Sequence, residues 1–206
     1  YNRGKINHVP FRELPGLLSK TDLLVYNNTK VIQARIRFRK QSGANIEVFC
    51  LEPVDPPTYE LAFSSQKTVA WKCLIGNAKK WRQGELTKTI EPGGNQITLK
   101  AIQIQQMDGE WIIRFSWNLS DLTFSEVLEK IGDTPIPPYL NRESEPSDKA
   151  NYQTIYSRHK GSVAAPTAGF HFTDGVLNKL NEKEIPRLEM TLHVGAGTFR
   201  PVIHDN

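Results

Sequence analysis

Two histidines lie in segments whose small neighbours leave room for a ligand. His171 stands in AGFHF at 168–172, and His193 stands in LHVGAG at 192–197. Imidazole titrates nearest to neutral pH of all side chains, so it can take or give a proton without a large shift of its pKa. We therefore predict His171 and His193 as candidate acid-base groups, with a purely structural histidine as the alternative at each position. The other three histidines carry no such context and are interpreted as surface residues.

Two small-residue loops accompany these histidines. GAGT at 195–198 follows a strand-like segment, and its glycines would let backbone N–H groups approach a ligand closely. The loop lacks the spacing of a dinucleotide fingerprint and the lysine of a phosphate loop, so a plain tight turn explains it equally well. AAPTAG at 164–169, stiffened by Pro166, predicts either a pocket wall or an awkward turn.

Basic residues form two clusters in a chain of net charge +4. The clusters are Arg35, Arg37, Arg39 and Lys40 along an alternating segment, and Lys79, Lys80 and Arg82 beside Trp81. Lysine and arginine neutralise phosphates, so either cluster is a candidate contact for nucleic acid. A solvated strand face is the alternative for both.

The composition is that of a folded protein, with 38% hydrophobic and 23% charged residues in 206. No apolar run approaches the roughly 18 residues of a membrane span, and YNRGKINHVPF at the start lacks an apolar signal, so we expect a cytoplasmic protein. Cys50 and Cys73 are predicted core thiols, because their spacing matches no metal motif, and no metal site is predicted. Because the chain opens at Tyr1 in mid-pattern, we also expect it to be incomplete.

The first 42 residues predict α/β elements. FRELPGLL at 11–18 predicts a short helix with Pro15 in its first turn, and TDLLVYN at 21–27 predicts a buried strand that delivers polar residues to its carboxyl end. VIQARIRFRK at 31–40 alternates, which predicts one strand with Ile32, Ala34, Ile36 and Phe38 on one side and Gln33 and the arginines on the other.

From 43 to 117 nearly every segment predicts a strand, and Asp108-Gly109 predicts a tight hairpin. Thr123 and Glu126 have capping-box spacing at the start of a helix that Gly132 ends. A second helix is predicted from Thr173, and a strand over EMTLHV at 189–194. The fold class predicted is a mixed α/β domain with an inserted small all-β barrel: residues 1–42 and 119–206 form the α/β domain, and 43–118 form the barrel.

Four segments, in order, resemble one family. LLVYNNTKVIQARI, GDTPIPPYLNR, NYQTIYSRHKGSVAAPTAGFHFT and TLHVGAGTFRPV are similar to the S-adenosylmethionine:tRNA ribosyltransferase-isomerases of queuosine biosynthesis, over about residues 21 to 202. The resemblance implies a transferase/isomerase that moves the ribosyl group of S-adenosylmethionine onto 7-aminomethyl-7-deazaguanine at the tRNA wobble position. The products are epoxyqueuosine, adenine and methionine. S-adenosylmethionine is then a co-substrate, no further cofactor is implied, and the protein is expected to be a monomer that binds tRNA.

The resemblance also suggests roles for the residues in these motifs. His171 and His193 would lie near the sulfonium and adenine as catalytic proton-transfer groups. The substrate-binding candidates are Asn27, Asn28, Thr29, Arg35, Tyr152, Gln153, Pro166, Thr167, Gly195, Gly197 and Thr198. The tRNA-binding candidates are Arg37, Arg39, Lys79, Lys80 and Arg82.

Two other functions fit the same residues. The first is a non-catalytic tRNA-binding fragment of such an enzyme, in which the barrel and its basic faces hold RNA. The second is a related enzyme that acts on a free small molecule. Dependence of adenine release on tRNA distinguishes all three.

Overall fold

A computed structural model describes residues 4, 6, 8–137 and 140–195, and shows a mixed α/β chain dominated by one antiparallel sheet. The strands are β1 Leu24–Asn27, β2 Thr29–Val31, β3 Arg35–Arg39, β4 Asn45–Asp55, β5 Thr68–Gly76, β6 Leu86–Ile90, β7 Ile97–Met107, β8 Glu110–Trp117, β9 His159–Ser162 and β10 Arg187–Met190. The helices are α1 Leu14–Leu17, α2 Tyr59–Ser64, α3 Phe124–Ile131, α4 Asp148–Asn151 and α5 Asp174–Glu182. Short 3-10 turns span Phe11–Glu13, Ala78–Lys80, Pro92–Gly94 and Thr167–His171.

Six strands form a nearly closed barrel in the order β3-β4-β5-β8-β7-β6. All neighbours pair antiparallel, and the two end strands, β3 and β6, approach each other. Alternate residues point inward, as the pleat requires, so that Ile36 and Phe38 of β3 are buried. Cys50 and Cys73 lie opposite each other on β4 and β5, both fully buried and both free thiols.

The helix α3 packs its apolar stripe against the barrel. Phe124 lies 5.6 Å, ring to ring, from each of Trp71, Phe115 and Trp117. The predicted capping box is present, since Thr123 accepts from the Glu126 amide and the Glu126 carboxylate accepts from the Thr123 amide. This helix therefore fixes the chain that leaves the barrel.

Two short parallel pairs carry the polar ends of the α/β part. β1 pairs with β10, and β2 pairs with β9. The helix α5 begins at its predicted cap, where the Thr173 side chain accepts from the Val176 amide. It packs Val176 and Leu180 against Leu24 and the segment around Phe11.

Several sequence predictions are wrong in extent. Residues 31–40 are not one strand: Val31 ends β2 and residues 35–39 form β3, because the chain leaves β2 at Val31 to enter the barrel. Gln33, expected on the solvent side, is buried in that connection. β1 is not a buried strand, since Val25 remains 46% exposed and only β10 pairs with it among the described residues.

Two further elements differ from expectation. The predicted all-β region contains one α-helix, α2, whose N-cap is Thr58, and the Thr58 hydroxyl accepts from the Leu61 amide. The last strand is β10 at Arg187–Met190 rather than 189–194, because pairing with β1 fixes its position and side-chain contacts replace it beyond Met190. Among the described residues, no helix is both long and apolar enough to cross a membrane.

Candidate functional site

The candidate site lies where β1, β9 and β10 end and the chain turns from β1 into β2. Asn27 lies at the end of β1, and its side-chain amide makes the hydrogen bonds to Leu192 that a neighbouring strand's main chain would otherwise make. Its Nδ2 donates to the Leu192 carbonyl at 2.8 Å, and its Oδ1 accepts from the Leu192 amide at 3.0 Å. These two bonds hold residues 191–193 beside β1 after regular pairing has ended.

Asn28 is buried and joins the ends of β1 and β10. Its Nδ2 donates to Glu189 Oε2 at 3.0 Å, and its Oδ1 accepts from the Thr191 hydroxyl at 2.7 Å. A buried amide needs such partners, since leaving them unmade costs about 1–3 kcal/mol.

Glu189 is the centre of charge in this cluster. Its carboxylate accepts from Asn28 and from the Tyr26 hydroxyl, and lies 3.3 Å from the Arg158 guanidinium. The Asn28 hydrogen bond, followed by the positive charge of Arg158, lowers the pKa of Glu189 against the opposing effect of burial. Glu189 is therefore an anion at neutral pH.

A row of hydroxyls connects β2 and β9 to His193. Thr29 Oγ1 lies 2.8 Å from Ser162 Oγ and 3.1 Å from His193 Nδ1. Ser162 Oγ accepts from the Val194 amide at 2.7 Å, which leaves the Ser162 proton available for Thr29. Thr29 is thereby placed to fix the imidazole through Nδ1, leaving Nε2 for a partner outside this row.

His193 rests on a glycine and a tyrosine. A Cβ atom at Gly161 would lie 2.3 Å from its Nδ1 and Cε1 atoms, so glycine is required for the ring to sit there. The Tyr59 ring lies 4.5 Å away, centroid to centroid. Burial lowers the pKa of His193 below its ordinary 6.5, and the nearby His159 lowers it further. His193 is therefore neutral at pH 7, the form that can accept a proton.

Tyr59 itself belongs to the edge of the barrel. Its hydroxyl donates to the Leu51 carbonyl at 3.2 Å, and burial, followed by the charge of Glu52, raises its pKa to about 12. The phenol therefore stays protonated and acts as a fixed wall for His193.

His171 has different surroundings. It ends the 3-10 turn Thr167–His171, is exposed as His193 is, and its ring centroid lies 5.4 Å from that of Phe11. The contacts of His171 and His193 described here share no residue. The structure thus connects His193, and not His171, to the Asn27–Thr29 cluster, and the catalytic role of either stays a prediction.

The predicted AAPTAG wall leads into that same turn. Pro166 precedes the turn and its carbonyl accepts from the Gly169 amide at 2.8 Å, while Thr167 is exposed. Gly169 is packed so closely that a Cβ there would lie 2.4 Å from the Tyr156 hydroxyl.

Tyr152 and Gln153 follow α4 and adjoin β2. Gln153 Oε1 accepts from the Val31 amide at 2.9 Å, and its Nε2 donates to the Val31 carbonyl at 2.8 Å. The Gln153 amide is thus bound to main chain on the edge of β2 opposite β9. The Tyr152 ring meets Phe170 edge-on at 5.9 Å.

Arg35 and Arg37 lie on the barrel and are surrounded by carboxylates. Arg35 lies 3.6 Å from Glu47 and over the Phe49 ring. Arg37 pairs with Glu143 at 2.8 Å, Asp133 at 3.5 Å and Glu47 at 4.0 Å. Contacts of these arginines with a substrate or with RNA remain predictions, and those carboxylates offset the charge of Arg37.

The two basic clusters meet at one end of the barrel. Lys40 Nζ donates to the Lys80 carbonyl at 3.0 Å, which places the end of β3 beside the turn that carries Lys79. Arg39 and Arg82 are exposed, as is Lys79. Of the predicted glycine loop only Gly195 is described, and it is exposed, while Gly197 and Thr198 lie outside the described residues.

Sequence reasoning missed Glu189, Ser162, Arg158 and His159, although all four belong to the cluster or adjoin it. His159 is exposed, as predicted, and also lies near enough to His193 to lower its pKa. The available signal was that parallel strands bring their carboxyl ends to one edge, which would have placed polar residues near 159–162 and 189–193 together.

The fold and this cluster define a mixed α/β chain that carries a small antiparallel barrel and a histidine at the ends of short parallel strands. The chain belongs to the queuosine biosynthesis protein family, whose sequence pattern it matches over residues 1–206.

Several curated relatives are named S-adenosylmethionine:tRNA ribosyltransferase-isomerase. The chain is 41% identical to that of Trichlorobacter lovleyi over 196 residues, covering 95% of this chain and 52% of the relative. It is 40% identical to that of Desulfitobacterium hafniense, over 98% of this chain and 54% of the relative, and 41% identical to that of Aquifex aeolicus, over 96% and 52%. The chain thus spans about half the length of these relatives.

Proposed function

We propose that the protein carrying this chain transfers and isomerises the ribosyl group of S-adenosylmethionine onto 7-aminomethyl-7-deazaguanine at the tRNA wobble position. Epoxyqueuosine, adenine and methionine are the products, and S-adenosylmethionine is consumed as co-substrate. The observation that carries the proposal is the family match over residues 1–206, together with relatives about 40% identical that bear this enzyme's name.

The geometry around His193 supports a proton-transfer role in that reaction. Ribosyl transfer from a sulfonium requires removal of a proton next to the charged sulfur and a proton for the departing adenine. His193 is neutral at pH 7, is held by Thr29 through Nδ1, and has Nε2 remaining for substrate. His171 stays a second candidate on its position in the motif alone.

The finer architecture is part of the same proposal. Residues 1–42 and 119–206 would form one α/β domain into which the 43–118 barrel is inserted, although β3 at 35–39 already pairs within the barrel sheet. We expect a monomer in the cytoplasm, where tRNA is modified, and no cofactor beyond the co-substrate. The proposed tRNA contacts of the barrel are Arg39, Lys79, Lys80 and Arg82. Arg37 is a further candidate, although Glu47, Asp133 and Glu143 offset its charge.

Release of adenine from S-adenosylmethionine tests the proposal when tRNA bearing the precursor base is supplied. We expect adenine in proportion to modified tRNA, and none without tRNA. Binding of tRNA without adenine would show a non-catalytic tRNA-binding chain. Adenine release that is unchanged without tRNA would show an enzyme for a free small molecule. Either result contradicts the proposal.

Histidine variants test the assignment of roles. General acid-base groups contribute roughly a hundredfold or more, so His193→Ala should lower turnover at least about tenfold, and His171→Ala likewise if it transfers a proton. His8→Ala is the control, because His8 is exposed and precedes the first helical turn. Wild-type turnover in both the His171 and His193 variants would remove these residues from the mechanism.

A further inference from the structure

A pocket of about 230 Å³ lies between α3, α4 and the chain from β2 into β3, and its described lining does not include Thr29, Ser162 or His193. Its polar lining consists chiefly of Lys30, Gln33, Ser125, Glu129, Lys149 and Lys160. Val31, Leu128 and Phe63 supply apolar wall. Nothing in the proposed reaction at His193 uses these three lysines, although Gln153, a substrate-binding candidate, also lines the pocket.

The pocket is cationic. Three of its lining residues are lysines, and Glu129 is the single carboxylate among those described. Lys160 donates to Ser125 Oγ at 2.8 Å and contacts Glu129, so that pair is neutral. Within the described part of the chain, Lys30 and Lys149 form no ion pair, which leaves two uncompensated positive charges.

The surroundings add donors of the same character. Ser125 lies in the first turn of the eight-residue helix α3, whose amino end carries a partial positive charge. The Thr123 and Glu126 side chains cap that end, and the Glu126 carboxylate offsets its charge, so the donors that face the pocket are the lysines and the Ser125 hydroxyl. Lysines beside a hydroxyl are groups that hold phosphate oxygens.

Size decides which anion fits. Pockets that enclose a whole drug-sized ligand measure about 300–1,000 Å³, and this one is about 230 Å³. It therefore suits one anionic group of a larger molecule. A phosphodiester of a polynucleotide is such a group, because the rest of the strand can remain outside.

We propose that this pocket binds a backbone phosphodiester of tRNA through Lys30, Lys149 and Lys160. The inference rests on the proposed function for its choice of nucleic acid, and it adds a contact site distinct from the basic end of the barrel. It places tRNA across the face where β2, α3 and α4 meet, on the edge of β2 that Gln153 occupies.

Binding of an unmodified tRNA transcript to the intact protein tests the pocket without any catalysis. Lys149→Gln and Lys30→Gln should each raise the Kd about threefold or more near 0.1 M salt, and each should reduce the slope of log K against log salt by about one. Lys67→Gln, an exposed lysine outside the pocket, is the matched control and should leave both quantities unchanged.

Removal of the Glu129 carboxylate should change tRNA affinity in the opposite direction. Glu129→Gln frees Lys160 from its partner, so tRNA should bind more tightly and the salt slope should steepen. A merely destabilised fold would weaken binding in every variant, whereas a phosphate site predicts weakening in the lysine variants and strengthening in Glu129→Gln.

The outcomes separate this inference from the proposed function. Unchanged tRNA binding in the lysine variants overturns the inference, even if adenine is still released. A weaker affinity for S-adenosylmethionine with unaltered tRNA binding also overturns it, since the pocket would then hold the carboxylate of the co-substrate. The expected tRNA changes in a protein that releases no adenine would support the pocket and contradict the enzyme.

Discussion

The barrel is held by apolar side chains that alternate along long antiparallel strands, whereas the candidate site is held by amides and hydroxyls at the ends of strands three to four residues long. Phe124 of α3 and Trp71 of β5 bury whole rings in the core that the barrel and α3 share. In the candidate site, the Asn27 side chain instead hydrogen-bonds the Leu192 main chain, and the Asn28 side chain hydrogen-bonds the Glu189 carboxylate. Stability should therefore reside mainly in the barrel, and positioning of functional groups in the polar cluster.

The largest effect is expected in the barrel. Phe124→Ala removes a fully buried ring from between Trp71, Phe115 and Trp117 and should lower the free energy of unfolding by about 3–5 kcal/mol. Urea denaturation measures it. Leu61→Ala, at a 55% exposed position on α2, should change it by about 0.5 kcal/mol or less. Equal losses in the two variants would contradict a barrel-centred stability.

An intermediate effect is expected at Asn28. Asn28→Ala leaves Glu189 and Thr191 without buried partners and should cost about 1–3 kcal/mol by the same measurement. Asn118→Ala is the control, because that asparagine makes a similar pair of bonds at an exposed barrel turn. A cost at Asn28 no greater than that at Asn118 would show that the cluster is not held by its buried amide.

Gly161→Ala should separate positioning from stability. The new Cβ would lie 2.3 Å from the His193 ring, and Gly161 has a φ of 154° that L residues rarely adopt, so the unfolding free energy should fall by about 1–3 kcal/mol even if the exposed ring swings outward. The His193 pKa, followed by NMR titration, should return toward 6.5, and adenine release should fall. Gly16→Ala, which meets no atom within 4 Å, is the control. A His193 pKa that is the same in Gly161→Ala as in the wild type would contradict the described packing.

The smallest effect at neutral pH concerns Glu189. Its folded pKa is lowered from 4.5, so its contribution to stability is present above pH 4.5 and is lost as pH falls through the folded value. The wild type should therefore lose stability as the pH falls from 4.5 through the lower folded pKa of Glu189. Glu189→Gln should show a smaller loss over that interval. Urea midpoints measured across that interval test it, and parallel curves for both proteins would contradict the shift.

The sequence predicted those features that depend on local pattern. Alternation placed Ile36 and Phe38 inside the barrel, and the Thr123–Glu126 spacing gave the correct helix start. Asp108-Gly109 gave the hairpin between β7 and β8, with Gly109 at a positive φ of 79°. Each of these signals lies within a few residues of the structure it specifies.

The rest depends on contacts between distant segments. Asn27 meets Leu192 across 165 positions, and Gln153 meets Val31 across 122. A side-chain amide that replaces a strand leaves no periodicity, so neither contact could be predicted from spacing. For the same reason Gln33 was placed on the wrong side, and Glu189 was not recognised as a partner of Asn28.

The pair of hydrogen bonds between the Gln153 side chain and the Val31 main chain also governs where the chain can change in length. β2 is bound on one edge by β9, through Ile32 and Ser162, and on the other by Gln153. The five residues between Gln153 and β9 thus pass from one edge of the same short strand to the other, and one inserted residue would break the bonds on one side. An insertion in the open barrel turn at Gly93, where no atom crowds the backbone, meets no such restraint. Relatives should therefore vary in length at that turn and keep the 153–159 connection constant.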